Sequence, residues 1–519
     1  MNKLLQFALL FVLFSCAIES MPTGGEKDIT PPEVVESSPT NYQTNFVGAE
    51  IELTFDEYVE LKNFSQQFSV SPPLENKVDY NLKGKTLNIT ILDTLKENTT
   101  YTLNFGNSIV DISEGNPQTN FKYVFSTGPV LDSLKIQGQV HNALSGKPME
   151  GLLAMLYLES NEDSVGYKSK PQYYAVTQED GSFSIENIKD ENYHLLVVDD
   201  KDFNFKITSQ KEPRGFVSKL VNPNSDSLYQ LRTFVETSGL RFNQLKQTGR
   251  GKAFVFYSAD VPADFKIKAE NDSAVFIDDR NGRDTLTIYY DKGSSDTSLF
   301  YAQYADVTDT LFIRNAEFDK VEATLSAKKS TVTPSDVLIL TSNKPIEKFD
   351  ASYLVYVKNG DTVAAPKLTL DKNNFDLVFN EQPAFGDSYT LHFIPGFVSV
   401  FHNQMVDTAS VSFKTKKETD YAFHIISFTQ KANQQSIIQL LDEKNNLIFE
   451  KLVTGTANIE APFLEPAGYI LRVIIDANKN GVWDTGNYLE SIQPEKVLYY
   501  SEVIELRANW EIETLWNLK

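Results

Sequence analysis

The segment Asp476-Ala-Asn478-Lys-Asn480-Gly481-Val-Trp483-Asp484 carries the sharpest chemical signal in the sequence. Oxygen-bearing side chains stand at its first, third, fifth and ninth positions, and glycine at its sixth. That spacing turns alternate side chains inward and lets the backbone bend sharply, which suits Ca²⁺. At the twelfth position, where an EF-hand places a bidentate Glu, this chain has Asn487. Ca²⁺ on Asp476, Asn478, Asn480 and Asp484 would therefore bind weakly, at roughly 10⁻⁴–10⁻³ M, as in extracellular modules. The competing reading is a plain hairpin turn, because Asn480-Gly481 is a strong type I′ signal. An earlier segment offers Asp200, Asp202 and Asn204 at the same spacing, without the glycine. Neither reading requires a cofactor.

Other chemistry is sparse. The histidines are His141, His194, His392, His402 and His424, and no two form HExxH or another short ligand pair. Nucleophile elbows, Walker loops and dinucleotide fingerprints are missing from the sequence. With 70 acidic residues, paired carboxylates arise by chance. The expectation is a protein that is not an enzyme. The tryptophans, Trp483, Trp510 and Trp516, all fall in the last hundred residues. Exposed, they would suit a sugar platform or a protein hot spot. The period-2 placement of Trp510, Ile512 and Trp516 predicts burial on one strand face instead.

Cys16 is the single cysteine, so neither a disulfide nor a thiolate metal site is available. Lys3, the apolar run Leu4 to Phe14 and Ser15 precede it. That is a charged n-region, a short h-region and a small residue at the cut. Leu13-Phe14-Ser15-Cys16 resembles a bacterial lipobox, with Phe14 bulkier than the usual residue there. The resemblance implies a signal peptide over 1–15 and a lipidated Cys16 that anchors the chain on a membrane. The alternative is an ordinary signal peptide that happens to contain a cysteine. The net charge of −22 argues against nucleic acid and against a basic membrane-binding patch.

Asp followed by Ser or Thr and a small or branched apolar residue recurs along the chain. The hydroxyls are Thr94, Ser133, Ser164, Ser227, Ser273, Thr285, Thr310, Thr362 and Thr408. The triplet resembles the O-glycosylation sequon of exported Bacteroidota proteins. Junctions between polar loops and strands produce the same triplets without any modification.

The elements that would position these groups are strands. With 35 Phe and 24 Tyr against 5 Met, composition favours them. Ile51, Leu53 and Phe55 alternate with polar residues, as do Leu87, Ile89 and Ile91, and Tyr101, Leu103 and Phe105. Turn signals such as Lys83-Gly84-Lys85 separate them, the pattern of sandwiches or barrels. One short helical turn fits within Glu57–Phe68. Two internal repeats appear. Tyr101-Thr-Leu-Asn-Phe105 and its sequel match Tyr389-Thr-Leu-His-Phe393 and its sequel. More faintly, Phe183 through Tyr193 to the following acidic loop matches Ile459 through Tyr469 to Asp476. The reading is all-β: a tether over 16–32, then modules at 33–128, 130–225, 226–317, 318–418 and 419–519, the fourth repeating the first.

At these residues the chain resembles Bacteroidota outer-membrane lipoproteins with an N-terminal SbsA-type bacterial Ig-like domain. The matching residues are Pro22, Gly24, Gly25, Lys27, Asp28, Pro31 and Pro32, then Leu53-Thr-Phe-Asp-Glu57-Tyr58 and Val70-Ser-Pro-Pro-Leu74. The 130–225 module resembles carboxypeptidase-regulatory or CnaB-like (transthyretin-like) domains at Gly138, Gly146-Lys-Pro148 and Asp180-Gly181-Ser-Phe183. The resemblance implies tandem Ig-like and transthyretin-like sandwiches on a lipidated tether at the outer membrane. The role it implies is non-catalytic binding or scaffolding of other envelope proteins. A subunit of an outer-membrane assembly or surface-export complex and a surface glycan-binding protein are the alternatives.

Overall fold

The computed structural model describes residues 28–518, apart from Asn120, 160–163, Asp226, Ser238, Ala263, Asp272, Asn281, Arg283 and 292–295. The signal peptide read at 1–15 and Cys16 lie outside the described residues. Among the described residues the regular structure is nearly all strand, with helical structure in single turns such as Phe64–Gln67. Among the described residues no helix is long and apolar enough to cross a membrane.

Alternation sets the sheets. In Glu50–Phe55, Ile51, Leu53 and Phe55 are buried while Glu50 and Glu52 face out. A strand turns successive side chains to opposite faces, so this register is fixed by which face meets the core. Among the described residues, hydrophobic side chains gather in five main cores, within residues 46–125, 136–231, 253–313, 323–413 and 422–506. By contacts the chain divides into two bodies. One is Met1–Val140, Pro148–Ile207 and Gly215–Leu231; the other is His141–Lys147, Thr208–Arg214 and Arg232–Lys519.

In the first body, the first module sets a four-stranded sheet, in the order Val34–Ser38, Glu50–Phe55, Thr86–Thr90, Asp79–Lys83, against Ser69–Ser71, Thr100–Asn104 and Lys122–Ser126. Leu53 pairs with Leu87 and Leu103 with Tyr123, all buried in one core. The second module's core includes Ile136, Leu156, Tyr193 and Leu231. Since Tyr229 and Leu231 pack there, the boundary expected at 225/226 is corrected to a later point.

In the second body, the module around Leu325–Thr415 repeats the first module's sheet order, as Leu325–Ala327, Leu338–Ser342, Asp376–Phe379, Leu368–Leu370. The C-terminal module sets Ala457–Leu464, Ala422–Thr429 and Glu511–Asn517 against a sheet centred on Gln435–Asp442 and Gly468–Asp476. Trp516 packs on Phe428 and Tyr500. Trp510 departs from the expected burial: it precedes the strand and is 51% exposed. It lies in the turn closed by its own N–H on the Arg507 carbonyl, and the Arg507 guanidinium covers its ring at 5.0 Å.

Candidate functional site

The four residues read as Ca²⁺ ligands do come together. Gly468–Asp476 ends on Asp476, whose carboxylate accepts the N–H groups of Asn480 (3.1 Å) and Gly481 (2.8 Å). Gln435 Nε2 adds a third bond at 2.7 Å from the neighbouring strand. Asp484 Oδ2 accepts Asn478 Nδ2 at 2.6 Å and Asn480 Nδ2 at 2.7 Å. The Asn478 and Asn480 amide oxygens accept N–H groups of Asn480 and Val482. Glu495, which local spacing does not mark, closes the loop by accepting from Ala477 (2.7 Å) and Asp484 (3.1 Å). The oxygens thus serve a turn bonded to itself, and Asp484 faces amide NH₂ groups. Among the described residues no three acidic or histidine side chains are grouped to hold a metal. Although Asp476 is buried, bonds from Gln435 and the loop N–H groups outweigh the desolvation and hold its pKa below the usual carboxylate value.

The second module carries the same loop. Asp200 Oδ2 accepts Phe205 N (2.6 Å), Asp200 Oδ1 accepts Asn204 N (3.3 Å), and Asn204 Oδ1 accepts Lys206 N (2.7 Å). Left-handed residues fall at matching places: Phe203 (φ 54°) and Phe205 (φ 65°) here, Lys479 (φ 63°) and Gly481 (φ 81°) there. The preceding strands match as well. The Tyr193 hydroxyl donates to the Lys189 carbonyl at 2.9 Å, and that of Tyr469 to the Glu465 carbonyl at 2.8 Å. A bulky residue at positive φ is an outlier costing about 1–3 kcal/mol, and such strain clusters at functional sites. Two phenylalanines carry it here.

Those phenylalanines line a cleft of about 290 Å³ in the first body. Phe64 and Phe68 reach it from the helical turn, Tyr80 from Asp79–Lys83, and Tyr174 from Tyr173–Val176. Phe205 meets Tyr174 edge-on at 4.8 Å, and Phe64 lies 4.3 Å from Tyr80. Tyr80 and Phe203 remain 43% and 44% exposed, so the cleft has open aromatic lips. Its rim is polar: Gln66, Asn76 and a Lys170–Glu75 ion pair at 2.8 Å. The first two modules meet here, and Tyr174 N also donates to Ser71 Oγ at 3.2 Å. Aromatic walls, few polar groups and a place between modules are what small-ligand sites share. The sequence held one sign of it: phenylalanine at the place where the related loop has glycine.

The remaining residues of interest are scattered. Thr94, Ser133, Ser227, Thr310, Thr362 and Thr408 are exposed, and Ser164, Ser273 and Thr285 half-buried. The Ser273 hydroxyl donates to Asn271 at 2.7 Å. His392 meets Ser410 Oγ at 2.6 Å as a cross-strand neighbour on an exposed face. His424 is fully buried, with Nε2 2.9 Å from Thr514 Oγ1, and burial lowers its pKa to about 4. Trp483 donates to the Glu495 carbonyl at 3.3 Å.

Residues 28–127 match the family described as the bacterial Ig-like domain, which defines the N-terminal module. No curated protein matches the sequence. Among solved structures, surface layer protein SbsC domains 1–6 is 12% identical with TM-score 0.14, over 92% of this chain and 67% of that one. The Bacillus anthracis TIE protein is 10% identical with TM-score 0.16, over 96% and 76%. BcpA, the major pilin subunit of Bacillus cereus, is 8% identical with TM-score 0.14, over 74% and 98%. These scores carry no argument about arrangement or role.

Proposed function

We propose that this chain is a non-catalytic cell-envelope lipoprotein, anchored through Cys16 at the outer membrane, that binds a ligand between its first two modules. The observation that carries the reading is the cleft walled by Phe64, Tyr80, Phe203 and Phe205. Two of its rings, Phe203 and Phe205, stand at left-handed backbone positions. Exposed ring faces with amide, carboxylate and ammonium groups at the rim favour a sugar over a purely apolar guest. Stacking and edge hydrogen bonds together suit a ring that is apolar on its faces and polar at its edge. The scaffold reading has support in the succession of β-cores along the sequence, each drawn from its own stretch of residues. Glycan-array binding by the intact chain and by Phe203→Ser tests it. Retention by the first and loss by the second, with unchanged melting, supports the proposal; equal binding by both sinks it. Cell fractionation of Cys16→Ser tests the anchor, which is wrong if that variant stays with the membrane.

A further inference from the structure

A second cleft, of about 620 Å³, lies within the second body. Arg250 and Lys252 enter it from the turn between Phe242–Gly249 and Lys252–Tyr257. Lys344 comes from just past Leu338–Ser342, and His402 from just past Val398–Val400. Lys320 joins them. Its floor is apolar, since Tyr289 and Phe401 pack with Phe375 in a buried cluster. The concentration of cations is unexpected in a chain of net charge −22.

The lysines are poorly neutralised. Asp291 and Asp319 also line the cleft, and His402 Nε2 lies 3.9 Å from Asp291 Oδ1. Among the described residues, no carboxylate comes within ion-pair range of Arg250, Lys252, Lys320 or Lys344. Lys344 Nζ donates to two neutral acceptors, the Val321 carbonyl and Gln404 Oε1. Burial lowers the Lys344 pKa, and Lys320 and Lys252 lower it further by repulsion. Glu347 is engaged elsewhere: it accepts the N–H groups of His402 and Asn403, each at 3.2 Å, across a turn with left-handed φ of 67° and 53°. Like charges over an apolar floor repel more strongly than in water. An anion with several acceptor oxygens relieves that repulsion and gains charge-assisted hydrogen bonds.

We propose that this cleft binds a phosphate- or sulfate-class oxyanion through Lys252, Lys320 and Lys344, with Arg250 and His402 at its edge. Free phosphate and a phosphate ester on a sugar present the same chemistry. The proposal is independent of the aromatic cleft, which belongs to the other body.

The test is calorimetric titration of the intact chain at low ionic strength with inorganic phosphate, sulfate and glucose 6-phosphate, with chloride as the control. Phosphate or sulfate should bind where chloride does not. Lys320→Gln combined with Lys344→Gln should weaken binding at least about tenfold, since each charge-assisted bond contributes on that scale. In phosphate-free buffer the double variant should melt no lower than wild type, because repulsion has been removed. Should it melt lower, Lys320→Gln alone, at an exposed position, gives the binding comparison. Tighter binding of glucose 6-phosphate than of phosphate supports the proposal with an ester as the source, and the reverse with a free anion. Phosphate heats matching those of chloride, or undiminished binding in the lysine variants, overturn it. Phe203→Ser should leave the phosphate response intact, so failure of the aromatic site and failure of this one are separable.

Discussion

The loop after Tyr193–Val198 and the loop after Gly468–Asp476 follow one backbone path with different side chains. Both hang two N–H groups on a buried aspartate. In the second, Gln435 supplies a further donor, Asn478 stands two residues on, and the carboxyl is held below its usual pKa. In the first, Asp202 stands two residues on. There burial, followed by the bond to Asp202, pushes the Asp200 carboxyl up to about 6. Asp202 is lowered by the same bond. The same turn therefore responds to acid in opposite senses. A depressed Asp476 contributes stability that is present above the unfolded carboxylate pKa and lost as pH falls through its folded value. A raised Asp200 contributes stability that is present below the unfolded value and lost as pH rises through about 6. What separates the loops is the partner set, not the path of the chain.

The largest test of that contrast removes each anchor. Asp476→Ala strips the acceptor from three donors. At about 1–3 kcal/mol for each charged bond or orphaned buried donor, a loss of about 3 kcal/mol or more at pH 7 is expected in urea unfolding. Asp200→Ala should cost less at pH 7, where its carboxylate is disfavoured, and more at pH 4. Equal losses at both pH values would show that the partner sets do not matter.

The C-terminal module carries a second acid-sensitive group that its relative lacks. His424 pairs with Ala461 and Ile136 with Ile185, and those partners stand equally far before Tyr469 and Tyr193. His424 thus occupies the place of a buried isoleucine. Its folded pKa of about 4 lies below the ordinary histidine value of 6.5, so the unfolded chain takes up the proton first. Wild type should lose about 2 kcal/mol as pH falls from 6.5 towards 4. His424→Ile should flatten that loss in the same urea titration. An unchanged slope would assign the sensitivity to another group.

The repeat, and with it the two loops, was legible because alternating apolar residues and the shared Tyr-x-Leu survive as sequence. The strain was not, because positive φ at Phe203 and Phe205 contradicts their own propensity, in a loop whose Asn204 and Phe205 N–H groups turn back to Asp200. Glu495 and Gln435 were invisible for a different reason: they reach their loop across the sheet or from a distant turn. Trp510 misled, because a period-2 count has no knowledge of where a turn interrupts the strand.

Strain gives the next test. At Gly481 (φ +81°) the nearest atom to an added Cβ is Leu452 Cδ2 at 3.8 Å, so Gly481→Ala meets no clash. Its cost of about 1–2 kcal/mol should be purely conformational. Phe203→Asn does the reverse, placing a residue that tolerates the left-handed region where phenylalanine is strained. It should raise stability by about 0.5–1 kcal/mol while weakening any ligand of the aromatic cleft. Stability lost together with binding would mean that Phe203 is ordinary packing.

The smallest change is the most specific. Asp202→Asn places in the first loop the residue type that the second has at Asn478, and leaves Asp200 and the phenylalanines in the sequence. Because Asp202 is exposed, global stability should hardly move. The Asp200 midpoint, read by carboxyl carbon NMR, should fall from about 6 towards the ordinary range. It should stop short of it, since burial, the first cause of the shift, remains. A midpoint that stays at about 6 would leave burial alone responsible. A midpoint as low as that of Asp476 would mean that burial contributes little, and that one neighbouring carboxylate sets the sign of the whole loop.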